Sequence, residues 1–259
     1  MSYFARRIVA GALLLLVIPL LVWASGWQWR PELSGWWLRP LFWITETVSA
    51  PWGFLTTLVL SAWFLWRAGL GRRQAVTLWC VLIGTIVLGQ VVVECAKVWV
   101  QEPRPFVVWL EQAQQIAVQD FYTLPGSARG ELVAAQLQHA TSLPDWLKLH
   151  WQKGNGYAFP SGHAMFAASW ALLAAGVLGG RRRYGTVALL MLWAVAVMIS
   201  RLVLGMHWPR DLVASTIISA LLSMLAGWWL LRRGDVATTG EPLRRNRTGR
   251  GAMSTRARR

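Results

Sequence analysis

Acidic residues and cysteine are scarce in this chain. Only 11 aspartates and glutamates stand against 26 lysines and arginines, and charged residues make up 14% of the 259 positions, where a soluble domain carries about 25%. That deficit excludes a protein wetted on all sides. With 55% apolar residues and 19 tryptophans, much of the surface must face something other than water. The two cysteines, Cys80 and Cys95, exclude a disulfide framework and a cysteine-built zinc site. Both lie in one apolar stretch, and on a helix they would stand about 22 Å apart along the axis. So few carboxylates leave no dense oxygen cage for calcium or magnesium, and neither a metal nor a cofactor is expected. The net charge of +15 would suit nucleic acid. The arginines, however, sit in short clusters between apolar stretches and in residues 232–259, with no stripe interleaved with stacking aromatics, so no nucleic-acid partner is expected.

What is abundant is long apolar sequence. Six stretches suit the roughly 20 residues that cross a bilayer: Ile8–Trp23, Trp52–Trp66, Ala75–Val93, Ala164–Leu178, Thr186–Leu204 and Asp211–Leu231. The second and fourth are short and need their flanks. The expected fold class is therefore all-α, a polytopic membrane protein with six transmembrane helices. Residues 98–159 are too polar to span and are expected to form a small outer cap, with surface helices at Val107–Val118 and Glu131–His139. The membrane domain then covers residues 1–231 and a basic, disordered cytoplasmic tail covers 232–259. That tail would attract anionic lipid or serve only as a topology anchor, the reading favoured here. Arg6, Arg7, Arg67, Arg72, Arg73, Arg181–Arg183, Arg232 and Arg233 all fall on one side if the spans alternate. The positive-inside rule makes that side the cytoplasm, with both termini there. A cleaved leader ending near Ala24 is the rival for the first span, and it would leave the other five oriented as before.

On the opposite side, charge gathers at three span ends, and charge there needs a reason. Lys97-Val98-Trp99-Val100-Gln101-Glu102-Pro103-Arg104-Pro105 brackets an extended segment with a point charge and a planar fork, both suited to phosphate oxygens. Snorkelling interface cations would look the same. Pro160-Ser161-Gly162-His163 starts a span: Ser161 is a natural N-cap, Gly162 permits close backbone approach, and the free N–H groups of a helix start attract an anion. An ordinary cap followed by an interfacial histidine would also fit. The third cluster runs from Ser200-Arg201 to His207-Trp208-Pro209-Arg210-Asp211. Pro209 suits a first helical position. Asp211 would then reach back to His207, fixing its tautomer and leaving the other ring nitrogen free to attack. The bland alternative is a carboxylate that only favours the helix dipole. Glu94, one turn before Lys97, is expected to pair with it, the alternative being that it lines the substrate path.

The order Lys-x6-Arg-Pro, Pro-Ser-Gly-His, Ser-Arg-x5-His-x3-Asp resembles the three-part signature of the type-2 phosphatidic acid phosphatase superfamily, and all three parts are present. Further stretches, Gln101–Phe106, Phe121–Leu124, Met165–Trp170 and Gly205–Asp211, are similar to bacterial members. The likeness runs from Ala5 to about Leu231; Val98 and Trp99 depart from it, and so does the arginine-rich tail. The resemblance implies a lipid phosphatase of the bacterial inner membrane with its site facing the periplasm. His207 would be the nucleophile, forming a phosphohistidine, Asp211 its orienting carboxylate, and His163 the acid and then the base. Lys97, Arg104, Ser161, Gly162 and Arg201 would hold the phosphate. The implied substrate is phosphatidylglycerol phosphate, with phosphatidic acid, lysophosphatidic acid, diacylglycerol pyrophosphate and the isoprenoid undecaprenyl pyrophosphate as further lipid phosphates. The bilayer itself is the other partner. Two rivals remain: a lipid phosphotransferase passing phosphate to an alcohol, and a non-catalytic lipid or anion transporter, whose site should lie near midplane.

Overall fold

The structure, a computed structural model, describes residues 2–31, 35–114 and 116–233. Most of the tail expected to be disordered lies outside these residues. Among the described residues there are eleven helices and no strand: α1 (Tyr3–Ala24), α2 (Leu38–Glu46), α3 (Trp52–Ala68), α4 (Arg72–Val100), α5 (Pro105–Gln114), α6 (Val118–Thr123), α7 (Gly126–Leu137), α8 (Asp145–Lys153), α9 (Gly162–Gly180), α10 (Tyr184–Val203) and α11 (Pro209–Arg233). Five of them, α1, α4, α9, α10 and α11, contain a stretch long and apolar enough to cross a membrane. The sixth, α3, is apolar but has 17 residues. The protein is thus an all-α, multi-pass membrane protein.

The bundle is built around α9. Its 19 residues are apolar on every side, and those from Ala164 to Gly179 are buried, as expected of a helix enclosed by others rather than facing lipid. It packs against α1, α3, α4, α10 and α11. Small side chains permit the close approach. On α11, Ser215, Ser219 and Ser223 recur every four residues and are all buried. Ser215 Oγ donates to the Ser161 carbonyl at 2.9 Å and Ser219 Oγ to the Met165 carbonyl at 3.2 Å. At the other end of the bundle the Phe4 ring lies against Gly176 and Gly227, so α1, α9 and α11 meet there. Arg67 Nε donates to Thr186 Oγ1 at 3.0 Å, joining the end of α3 to the start of α10. The arginine-flanked span ends therefore share one end of the bundle.

Elements outside the bundle depart from the sequence expectation. The helix expected over Val107–Val118 stops at Gln114, and α6 begins at Val118, whose N–H is taken by Glu111 Oε1 at 2.9 Å. The helix expected over Glu131–His139 starts earlier, at Gly126, straight after Pro125. Nine-residue α8 and nine-residue α2 were not expected at all. Helices α5–α8 enclose a second apolar core. At its centre Trp151 stacks on Phe106 at 5.3 Å and meets Trp29 edge-on at 5.7 Å. Trp151 Nε1 donates to the Leu204 carbonyl at 2.9 Å, which fastens this core to the turn between α10 and α11.

Candidate active site

Four helix ends meet beneath α8. Helix α4 delivers Lys97 from its last turn. Ser161 caps α9, its Oγ accepting from Ala164 N–H at 3.3 Å, and the next two residues are Gly162 and His163. The final turn of α10 carries buried Arg201, and the first turn of α11 carries buried Asp211. Between the last two, Gly205 takes φ +69°, a left-handed conformation that glycine adopts without a Cβ penalty. Its carbonyl accepts from Phe106 N–H at 3.1 Å, and the N–H groups of Met206 and His207 both reach the Arg201 carbonyl, at 3.0 and 3.2 Å. The turn is therefore fixed on all sides, and His207 with it.

The His207 ring is buried. Its Nδ1 lies 3.2 Å from Asp211 Oδ2, which also accepts from Trp208 N–H at 2.8 Å. Its Nε2 lies 3.3 Å from Arg104 Nη1. A guanidinium only donates, so Nε2 accepts and the ring proton sits on Nδ1, facing the carboxylate. The Arg104 fork is held by its other contacts, Nε to the Gly156 carbonyl at 2.6 Å and Nη1 to the Met206 carbonyl at 2.9 Å. Burial first, then Arg104 and Arg201, hold the His207 pKa well below its ordinary value. The imidazole is neutral, with its Nε2 lone pair directed away from Asp211.

Around it lies a cavity of about 550 Å³. Lys97, Arg104, Gly162, His163, Arg201 and His207 all line it; Ser161 and Asp211 stand behind them, both fully buried. All eight residues singled out from the sequence thus come together. Lys97 Nζ pairs with Glu94 at 2.8 Å, as the three-residue spacing suggested. Arg210 turns away from the cavity to an ion pair with buried Glu102. One side of the cavity is walled by Gly53, Phe54 and Thr57 of α3 and by Gln90 and Glu94 of α4.

Sequence reasoning missed four residues at or beside this cavity. Glu46, Ser49 and His150 line it, and Thr45 is fully buried behind them. Arg201 Nη1 donates to Thr45 Oγ1 at 2.8 Å and to His150 Nε2 at 3.1 Å. The other ring nitrogen of His150 lies 3.5 Å from Glu46. Burial above all pushes the His150 pKa down to about 4, so this ring too is neutral. The hydrogen bond with His150 keeps Glu46 below the usual carboxylate range. Ser49 Oγ lies 3.0 Å from His163 Nε2. The one available signal was His150 itself, a histidine in an otherwise unexplained polar stretch.

A bundle of apolar helices with a cavity lined by cations and histidines at one end defines a polytopic membrane protein with a polar site at the end of its spans. The chain belongs to the PAP2 superfamily, whose family model matches residues 77–235. It is 53% identical over 228 residues to phosphatidylglycerophosphatase B of Escherichia coli strain K12, covering 88% of this chain and 90% of that protein. Phosphatidylglycerophosphatase B of Haemophilus influenzae is 30% identical over 235 residues, 85% of this chain and 93% of the relative. A shorter likeness, 38% over 79 residues, joins it to lipid A 4'-phosphatase of Bacteroides thetaiotaomicron, 30% of this chain and 32% of that one.

Proposed function

We propose that this chain hydrolyses phosphatidylglycerol phosphate to phosphatidylglycerol and inorganic phosphate through a phosphohistidine on His207. Its family and its 53% identity over 88% of the chain to a phosphatidylglycerophosphatase B make it a membrane lipid phosphatase. The observation that carries the chemistry is the buried His207, neutral, with Nδ1 toward Asp211 and Nε2 toward the cavity. Nε2 attacks phosphorus as the bond to the lipid oxygen breaks, and that oxygen takes a proton from His163. Water then gives a proton to His163 and attacks phosphorus. The P–N bond breaks, phosphate leaves, and both histidines return to their starting states. Lys97, Arg104 and Arg201, with Ser161 and the N–H groups near Gly162, take the phosphoryl oxygens and stabilise the charge spread over them in the transition state. The hydrogen bond Arg104 now makes to Nε2 is exchanged for one to the incoming phosphate.

The wall formed by α3 and α4 supports sideways access, with the lipid tails remaining in the bilayer. The same cavity suits phosphatidic acid, lysophosphatidic acid, diacylglycerol pyrophosphate and undecaprenyl pyrophosphate, which present the same terminal phosphate. The gathering of arginine clusters at the far end supports an inner-membrane protein with cytoplasmic termini and a periplasmic site. Phosphate release from phosphatidylglycerol phosphate by the purified protein in detergent with excess chelator, beside His207→Ala, is the test. Release by the wild type and none by the variant is expected. No release by folded wild-type protein from this or the other lipid phosphates would sink the reading.

A further inference from the structure

The three parts of the signature leave one wall of the cavity unassigned, and residues 45–49 form it. This segment precedes the residues matched by the family model, which begin at 77. Helix α2 ends here, and hydroxyl groups at a helix end commonly satisfy only their own backbone. Two do so in part: Thr47 Oγ1 donates to the Ile44 carbonyl at 2.6 Å, and Ser49 Oγ lies 3.5 Å from the Thr45 carbonyl. Yet four polar side chains in five residues also reach across the fold. Thr45 accepts from Arg201 at 2.8 Å. Glu46 faces His150, which accepts from the same Arg201 nitrogen at 3.1 Å. Thr47 accepts from Trp193 Nε1 on α10 at 3.1 Å, which pins the segment to the helix that carries Arg201. Ser49 engages His163 at 3.0 Å.

Because guanidinium cannot accept a hydrogen bond, His150 Nε2 must, and its proton lies on Nδ1 toward Glu46. The arrangement repeats the one at the nucleophile. Arg104 donates to His207, which faces Asp211; Arg201 donates to His150, which faces Glu46. The nearest spare nitrogen of the second histidine is committed to holding an arginine. It does not reach for phosphorus.

We infer that residues 45–49 are a fourth part of the catalytic site, in which Ser49 positions the ring of His163 while Thr45 and the His150–Glu46 pair position the fork of Arg201. Rings and forks that reach a cavity by a single rotatable stem lose productive geometry when their supports go. The inference rests on His163 serving as the acid and Arg201 as a phosphate holder, as proposed above.

The test uses the full-length protein in detergent with two substrates, dodecyl phosphate and nitrophenyl phosphate. An alkoxide leaves only with a proton, whereas nitrophenolate needs little help. In Ser49→Ala, kcat/KM, which reports the transfer to His207 and not the later hydrolysis that also uses His163, should fall by about 10-fold or more on dodecyl phosphate and by less than about 2-fold on nitrophenyl phosphate. Ser49→Thr, which keeps the hydroxyl, should restore most of the loss. Equal losses on both substrates, or none, would overturn the role of Ser49. Thr45→Val keeps the shape and removes the acceptor. It should raise KM and the inhibition constant for inorganic phosphate, by about 10-fold, without changing the ratio of the two substrates' kcat values. An unchanged inhibition constant would overturn the role of Thr45. A wild type that hydrolyses neither substrate would instead remove the hydrolase reading on which both rest.

Discussion

In the proposed mechanism His207 has to stay neutral to attack, and its surroundings favour that. Burial first, then the guanidiniums of Arg104 and Arg201, lower its pKa well below the ordinary value, which is about 6.5. Protonation of Nε2 removes the lone pair, so the contribution of His207 is lost as pH falls through the lowered value, whereas the need for a proton on His163 limits the alkaline side. The acid limb of kcat/KM for phosphate release is therefore expected below pH ~6.5. A limb at or above that pH would show that the ring is not held as described. Lys97, Arg104, Ser161, Gly162, His163, Arg201, His207 and Asp211 were legible because each sits at the end of an apolar run, where a charged or special residue stands out. Thr45, Glu46 and Ser49 were not. They lie in a stretch rich in tryptophan and threonine, with no periodic pattern, and they meet Arg201 and His163 only through a fold that closes more than 100 positions of sequence.

Helices with long apolar stretches could be read from composition; short ones could not. Helix α9 was placed nearly to its bounds because nothing in Ala164–Leu178 is polar except Ser169. Helix α4 runs seven residues past the expected Val93, to Val100, because Glu94 and Lys97 pair along its surface rather than ending it. Helix α8, with Asp145, Lys148, His150 and Lys153 in nine residues, has too little apolar pattern to show. The turn after α10 offers a test at this scale. Gly205 has φ +69°, and a Cβ there would stand 2.5 Å from the Trp29 ring. An L-residue pays about 1–2 kcal/mol for that conformation alone, before the ring is displaced. Gly205→Ala should lower kcat by about 10-fold or more by shifting His207, and should also lower the melting temperature in detergent. Wild-type kcat in a folded Gly205→Ala protein would show that the turn does not set the nucleophile.

The ends of the whole bundle differ in chemistry. Arginines stack on aromatic rings at one end, Arg232 over Trp228 at 4.1 Å and Arg67 over Trp66 at 5.6 Å, and the cavity lined by His163 and His207 lies at the other. Topology follows as a prediction. In cells, Asp145→Cys on α8 should react with a thiol reagent that cannot cross the inner membrane, whereas Arg72→Cys at the start of α4 should react only after permeabilisation. The reverse pattern would invert the protein. A further consequence lies in the length of α3. Its 17 residues reach about 25 Å at 1.5 Å per residue, short of the ~30 Å hydrocarbon core. Exposed Trp52 and Trp66 mark its ends at the headgroup level. A span this short is met by local thinning of the bilayer, by snorkelling of its flanking residues or by association with another helix, and this is the flank where α3 and α4 wall the cavity. Thinning there would carry the headgroups of lipids entering by the proposed sideways route closer to the cavity.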